Sequence, residues 1–190
     1  MTLDPARWLV DHATLLPAAG DALDVASGNG RNAIWLAQRG LNTLAIDREA
    51  EKIAAIRRVA LDRGLPLHGE VVDLESDVEP DLPGLPKLGT SEGGSRAFDV
   101  IVVVHYLHRP LFPALRDSLR PGGMLVYETF TRAQARRGRP TNPAFLLEPG
   151  ELRHLVAPLE IVAEREGDFE GKMLASVIAV RPRGRARVGR

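Results

Sequence analysis

Near the start of the chain, Leu23-Asp24-Val25-Ala26 runs into Ser27-Gly28-Asn29-Gly30 and then into Arg31-Asn32-Ala33-Ile34-Trp35-Leu36-Ala37. A short buried strand, a tight turn and a helix therefore follow one another directly. Glycines in the turn let the backbone bend sharply and let a ligand approach without meeting a Cβ. The helix that leaves the turn presents free N–H groups and a partial positive charge. Such a unit is either a tight strand-to-helix connection with no ligand or a cradle for one. The first alternative leaves unexplained why Asp47 and Asp73 stand at the ends of the next two expected strands.

The remainder alternates between strand and helix signals, without an internal repeat, as in a parallel sheet covered by helices on both faces. Asp4-Pro5 is expected to start a helix carrying Trp8, Leu9 and Val10. Strands are expected over 22–26, 43–46, 67–72, 98–104, 124–129, 159–164 and 173–180. Helices are expected from Arg31 to Arg39, stopping at Gly40, and along the Ile53, Ile56, Val59, Ala60 stripe, stopping at Gly64. Pro110 suits a helix start, with Leu111, Leu115 and Leu119 on one face, and Pro121-Gly122-Gly123 reads as a sharp turn. Pro149 opens a short helix that Ala157-Pro158 ends. The last two strands are joined too closely for a crossover, so they form an antiparallel hairpin. Prolines and glycines break every period between 79 and 97, which predicts a mobile loop. The expected fold is thus a Rossmann-like α/β domain over 1–182, with a seven-stranded, mostly parallel sheet. A basic tail, 183–190, follows it.

Gly28, Gly30 and Ala33 also satisfy the dinucleotide pattern G-x-G-x-x-G/A, and Asp47 suits a cofactor ribose under either reading. Three features turn the argument away from a nicotinamide cofactor. Asp24, at the end of the first strand, repels a pyrophosphate but can receive a cationic amino group directly or through water. Asp73, at the end of the third, can accept from an adenine amino group. A chain of 190 residues also leaves little room for a separate substrate domain.

On these residues the chain resembles the class I S-adenosylmethionine-dependent methyltransferases. Asp24-x-x-x-Gly28-x-Gly30 is similar to their first motif, Asp47 and Asp73-Leu74 to their next acidic positions, and Leu119-Arg120-Pro121-Gly122-Gly123 to the turn before their fifth strand. The run Gly28-Asn29-Gly30-Arg31-Asn32-Ala33 with Leu36-Ala37 and Gly40 is similar to the tellurite-resistance-type and thiopurine-type small-molecule enzymes. The resemblance implies S-adenosyl-L-methionine as cofactor and S-adenosyl-L-homocysteine as product. It implies that backbone from Ala26 through Ser27 and Gly28 to Gly30 wraps the methionine part, with Arg31 close to its carboxylate. Asp47 would hold the ribose, with Arg48 beside the adenine, and Asp73 and Leu74 would hold the adenine. His105 would lie beneath the sulfonium.

Methyl transfer from such a cofactor needs orientation more than it needs a triad or a metal. If the acceptor requires a base, His105, Tyr106 and His108 are the candidates, because ligands of open α/β sheets lie beyond the carboxyl ends of the strands. Each of them is equally well read as a packing or loop residue. Glu128 is expected to pair with an Arg or bind a cationic acceptor. Arg132 to Pro143 reads as a solvated charged loop or as a lid for an anionic acceptor. No metal is expected, since His105-x-x-His108 lacks zinc-site flanks. P-loop and nucleophile-elbow patterns are missing.

Charged residues at 26% and a formal net charge of zero give no global field toward nucleic acid or membrane, and the absence of cysteine excludes disulfides and thiolate chemistry. Without a basic n-region and apolar core at its start, the chain is expected to be cytoplasmic. The expected acceptor is a small molecule. RNA or protein methylation, cofactor binding without turnover and nicotinamide chemistry are the alternatives. The Asn/Asp-Pro-Pro-Tyr/Phe tetrapeptide of many nucleic-acid methylators is replaced here by His105-Tyr106-Leu107-His108.

Overall fold

The structure, a computed structural model, describes residues 4–75 and 97–183. The expected loop at 79–97 and the basic tail lie outside the described residues, apart from Ala97 and Arg183.

The strands are β1 (Asp21–Val25), β2 (Asn42–Asp47), β3 (Leu67–Val71), β4 (Phe98–Val104), β5 (Leu119–Phe130), β6 (Glu160–Phe169) and β7 (Lys172–Val180). They form one seven-stranded sheet in the order β3-β2-β1-β4-β5-β7-β6. From β3 to β5 all pairings are parallel, and β7 runs antiparallel to both β5 and β6. The expected Rossmann-like architecture with its antiparallel end is the one found.

Period-2 patterning divides the sheet's side chains between two layers. Leu23, Val25, Ile101, Val103, Leu125 and Tyr127 face a layer that includes Phe112 and Leu115 of α4 (Phe112–Asp117) and Leu152 of α5 (Glu151–Leu155). Ala22, Val100, Val102 and Val126 face the other layer with Trp8 and Leu9 of α1 (Arg7–Asp11) and Leu36 of α2 (Arg31–Gln38). On that face α2 also packs with α3 (Ala50–Arg63) through Ala33, Ala37, Ile53 and Ile56. Strand β4 is buried on both faces, as a central parallel strand must be.

Most boundaries shift by one or two residues from the sequence expectation, and three differences are informative. Helix α1 starts at Arg7, with Ala6 rather than Asp4 in the capping position. Leu119 belongs to β5, not to the helix carrying Leu111 and Leu115, because the strand runs through Pro121-Gly122-Gly123 instead of beginning after it. The reason is long-range pairing. Gly122 N–H donates to Arg181 O, and Arg181 N–H to Gly123 O, both at 2.8 Å. Finally, β6 continues to Phe169, leaving Glu170-Gly171 as the hairpin turn. Along β6 exposed and half-buried residues alternate, the mark of a strand at the sheet's edge.

The strand order reverses between β1 and β4. The chain leaves β1 toward β2 on one side and β4 toward β5 on the other, so the two departing loops diverge. That divergence opens a crevice at the carboxyl edge, where open α/β sheets bind ligands. No helix among the described residues is long and apolar enough to cross a membrane.

Candidate active site

Both strands flanking the crevice end on a residue in the left-handed region. Ala26 follows β1 with φ +52, and His105 follows β4 with φ +59. Each turns its chain abruptly out of the sheet. After Ala26, Ser27 N–H donates to Ile46 O at 2.9 Å, and Gly30 N–H closes the turn on Ser27 O at 2.9 Å. The two glycines of the turn serve different ends. A Cβ on Gly30 would stand 2.6 Å from Ile56 Cγ1, so Gly30 allows α3 to pack against the start of α2. A Cβ on Gly28 would meet nothing within 4 Å. Gly28 is thus the point where bare backbone faces open space, as a ligand cradle requires.

Asp47 closes this loop from β2. Its Oδ2 accepts from Gly28 N–H at 2.8 Å and its Oδ1 from Glu49 N–H at 2.9 Å. Each oxygen keeps a further acceptor position, and the side chain lines the crevice. Asp73 follows β3, and its Oδ1 accepts from Glu75 N–H at 3.0 Å.

A first cleft of about 380 Å³ runs along the β1–β3 side of the crevice. It brings together Ala26, Gly28, Asp47 and Arg48 with Asp73, Leu74, His105 and Tyr106. A second cleft of about 730 Å³ lies on the other side of His105, which lines both; Arg31 and Glu128 line this second one. Ser27, Gly30 and His108 line neither.

Asp24, placed by the sequence at a cofactor amino group, also lines neither cleft. It is 1% exposed, and its Oδ2 accepts from Ala33 N–H at 2.9 Å, bracing the first turn of α2 from below. Burial pushes its carboxyl up to about 7, against the opposing pull of the Ala33 N–H and of Arg31.

His105 is fixed by its own backbone N–H, which donates to Glu128 O at 2.8 Å, and by stacking on Phe130 with ring centroids 4.7 Å apart. Burial first, then the charges of Lys172 and Arg31, lower its pKa to about 4. The ring is therefore neutral at ordinary pH and is a poor proton acceptor. Tyr106 Oη is buried beside the Glu75 carboxylate, and Ser27 Oγ is buried without a hydrogen-bond partner. Burial first, then the nearby Glu75 carboxylate, hold the Tyr106 phenol well above its usual range, so it stays a hydroxyl.

Several site residues are not singled out by the sequence, although Pro140 lies in the segment that reads there as a loop or lid. Phe130, Pro140 and Phe145 line the first cleft, the latter two from the 131–150 connector between β5 and α5. Arg109 pins that connector. Its Nε and Nη2 grip Glu151 at 2.6 and 2.9 Å, and its Nη1 and Nη2 donate to Ala144 O and Leu146 O, each at 3.0 Å. The expected arginine partner of Glu128 is Arg165, at 2.9 Å, with Ser176 Oγ donating to the same oxygen at 2.7 Å. Within Arg132 to Pro143 the four arginines are exposed; Arg132 pairs with Glu148 and Arg137 with Asp168 at the surface. Among the described residues no group of three or more His, Asp or Glu is placed to hold a metal ion.

The donor set fits an adenosyl cofactor. It offers bare backbone at Gly28, acceptor positions on Asp47, a carboxylate beside an apolar side chain at Asp73-Leu74, and a buried hydroxyl at Tyr106.

Comparison with known proteins agrees. Residues 3–162 match the family model described as a methyltransferase domain. Over 86 residues the chain is 42% identical to the ribosomal RNA small subunit methyltransferase G of Anaeromyxobacter dehalogenans, covering 43% of this chain and 39% of that protein. Over 138 residues it is 29% identical to the ubiquinone biosynthesis O-methyltransferase of Xanthomonas axonopodis pv. citri, covering 70% and 52%. The chain thus spans about half or less of the length of these curated relatives. The crystal structure of an S-adenosylmethionine-dependent methyltransferase from Mesorhizobium loti superposes with a TM-score of 0.69 at 19% identity, covering 95% of this chain and 100% of that one. The turn at Gly28, the carboxylates at Asp47 and Asp73 and the matched family model lead to one conclusion: this chain belongs to the class I methyltransferases that use S-adenosyl-L-methionine.

Proposed function

We propose that this domain, acting in the cytoplasm, transfers the methyl group of S-adenosyl-L-methionine to a small-molecule acceptor. The observation that carries the acceptor class is the 131–150 connector. Pro140 and Phe145 wall the first cleft, and Arg109 ties that wall to the β4–α4 loop bearing His105 and Tyr106. The connector thereby hems in the carboxyl edge next to His105, where the two clefts meet, and an edge hemmed in this way suits a compact acceptor better than a polynucleotide strand.

The bound cofactor supplies a methyl carbon already activated by a sulfonium. The chain's own residues supply position. In this reading Gly28 backbone and Asp47 fix the ribose end, Asp73 and Leu74 the adenine, and Arg31 the methionine carboxylate. His105 and Phe130 form the floor beneath the reacting atoms. Holding reactants about 3–3.5 Å apart supplies roughly 7–11 kcal/mol of a displacement barrier. Neutral His105, with its lowered pKa, suits an acceptor that is already nucleophilic at neutral pH.

RNA methylation is the second reading, favoured by the similarity to a ribosomal RNA methyltransferase. Against it, two of the connector's four arginines, Arg132 and Arg137, are engaged by Glu148 and Asp168, which leaves Arg136 and Arg139 as the exposed cations for a phosphate backbone. A screen with methyl-labelled cofactor against thiols, phenols, organic acids, amines and ribosomal RNA separates the two. Label in a small product supports the proposal, and label confined to RNA overturns it.

A further inference from the structure

The second cleft has an uneven charge distribution that the proposed function leaves unused. On its rim Asp4, Arg7, Asp168 and Glu170 are exposed; Arg7 is paired with Asp11 and Asp168 with Arg137. Farther in, Arg31, Lys172, Arg165 and His105 are half-buried. Of the charges there, Glu128 and Arg165 satisfy each other at 2.9 Å. Arg165 is also stacked 3.9 Å from the Phe169 ring and 4.6 Å from that of Trp8, which fixes it in place. Arg31 and Lys172 form no ion pair among the described residues, although Arg31 donates to Asp4 O at 3.3 Å and pulls on the buried Asp24 carboxyl. Exposed rim acids are screened by solvent, whereas half-buried cations are screened less. The interior of the cleft therefore carries Lys172 as a cation unpaired among the described residues, together with Arg31, whose charge the buried Asp24 carboxyl offsets only in part. Both act on the same point, since both lower the pKa of His105.

Resting on the reading above, the cofactor's single carboxylate neutralises one of these charges, at Arg31 beside the start of α2. One cation is then left over. We propose that the acceptor is a small organic acid, and that Lys172 seats its acidic group in the second cleft. The size and walls of the cleft argue for an organic body rather than a bare inorganic oxyanion. It measures about 730 Å³ and presents Trp35, Phe169 and Leu174 as apolar surface. The acid group only anchors. A separate nucleophilic atom of the acceptor gives its electron pair to the methyl carbon, the carbon–sulfur bond breaks with its pair returning to sulfur, and any proton on the nucleophile leaves to water.

The test uses matched probes that differ in the acid: 4-mercaptobenzoate against benzenethiol, 3,4-dihydroxybenzoate against catechol, and 3-mercaptopropionate against ethanethiol. Selenite and an oligoribonucleotide are run beside them. Transfer of labelled methyl and calorimetric binding to the protein loaded with S-adenosyl-L-homocysteine are measured for wild type, Lys172→Met and Lys172→Arg. The expected result is a preference of about tenfold or more for the acid member, lost in Lys172→Met and restored in Lys172→Arg. Affinity for S-adenosyl-L-homocysteine should be unchanged in all three, which also reports that the variants are folded. The proposal is overturned if no acid binds the loaded wild type, if the acid preference survives in Lys172→Met, or if selenite or the oligoribonucleotide is preferred to every acid. Failure of wild type to bind the cofactor or its product would instead overturn the functional reading beneath it.

Discussion

Gly28 gives its backbone N–H to Asp47 Oδ2 at 2.8 Å, joining the turn after β1 to the end of β2. One carboxylate thereby shapes the loop and keeps acceptor capacity for a ligand. Because Glu49 N–H holds the other oxygen, the side chain cannot swing away without losing two amide bonds. The geometry that would receive a ribose is set before any ligand arrives.

The two glycines of the turn should separate in mutagenesis. Gly28 has φ +55 with open space beside it, so Gly28→Ala costs about 1 kcal/mol of stability from the left-handed backbone. Its added methyl stands in the cleft and should lower cofactor affinity by at least about tenfold. Gly30→Ala drives a Cβ to within 2.6 Å of Ile56 Cγ1 and should cost roughly 2–4 kcal/mol in a denaturant titration. Equal stability losses in the two variants would contradict this division.

Ala26 occupies φ +52 with a Cβ that glycine would lack. Ala26→Gly should raise stability by about 0.5–1 kcal/mol, the relief of the left-handed backbone exceeding the added freedom of the unfolded chain. A lower melting temperature than wild type would show that the alanine methyl packs too well to lose.

Arg109 acts as a strut between the two walls of the first cleft. Arg109→Met removes both bonds to Glu151 and the bonds to Ala144 O and Leu146 O. Stability should fall by about 1–3 kcal/mol. Amide exchange over 143–147 should accelerate and product should leave faster. Unchanged exchange in that segment would mean that the wall stands without the strut.

Asp24 makes stability depend on pH with a definite sign. Its folded pKa of about 7 lies above its ordinary value of 3.8. Between those values the folded state keeps a proton that the unfolded state has released. The contribution is fully present below 3.8 and is lost as pH climbs through 7. The loss amounts to up to about 4 kcal/mol. Urea titrations at pH 5 and pH 8 should show wild type weaker at the higher pH, and Asp24→Asn should flatten the difference. A variant with the same pH slope as wild type would place the titration elsewhere.

The local parts of this fold could be read from the sequence because their causes are local. The turn at Gly28 and Gly30, the stop at Gly64, and the acids at the end of β2 and just past β3 are each set by residues within a few positions of one another. What could not be read depends on distant partners. Pro121-Gly122-Gly123 reads as a turn in isolation, yet it continues β5 because Arg181 pairs with it. Polar residues between Arg165 and Phe169 give no strand signal, since an edge strand needs burial on only one side. Arg109 and Lys172 are ordinary surface cations in sequence. Their places in the site arise only when the connector and the hairpin fold back over the carboxyl edge.

The most direct test is calorimetric titration of S-adenosyl-L-methionine into wild type, Asp47→Ala and His108→Ala. Asp47 lines the first cleft with two free acceptor positions, whereas His108 lines neither cleft. The account predicts one cofactor per chain in wild type, affinity weakened by about 100-fold or more in Asp47→Ala, and wild-type affinity in His108→Ala. Wild-type affinity in Asp47→Ala would contradict it.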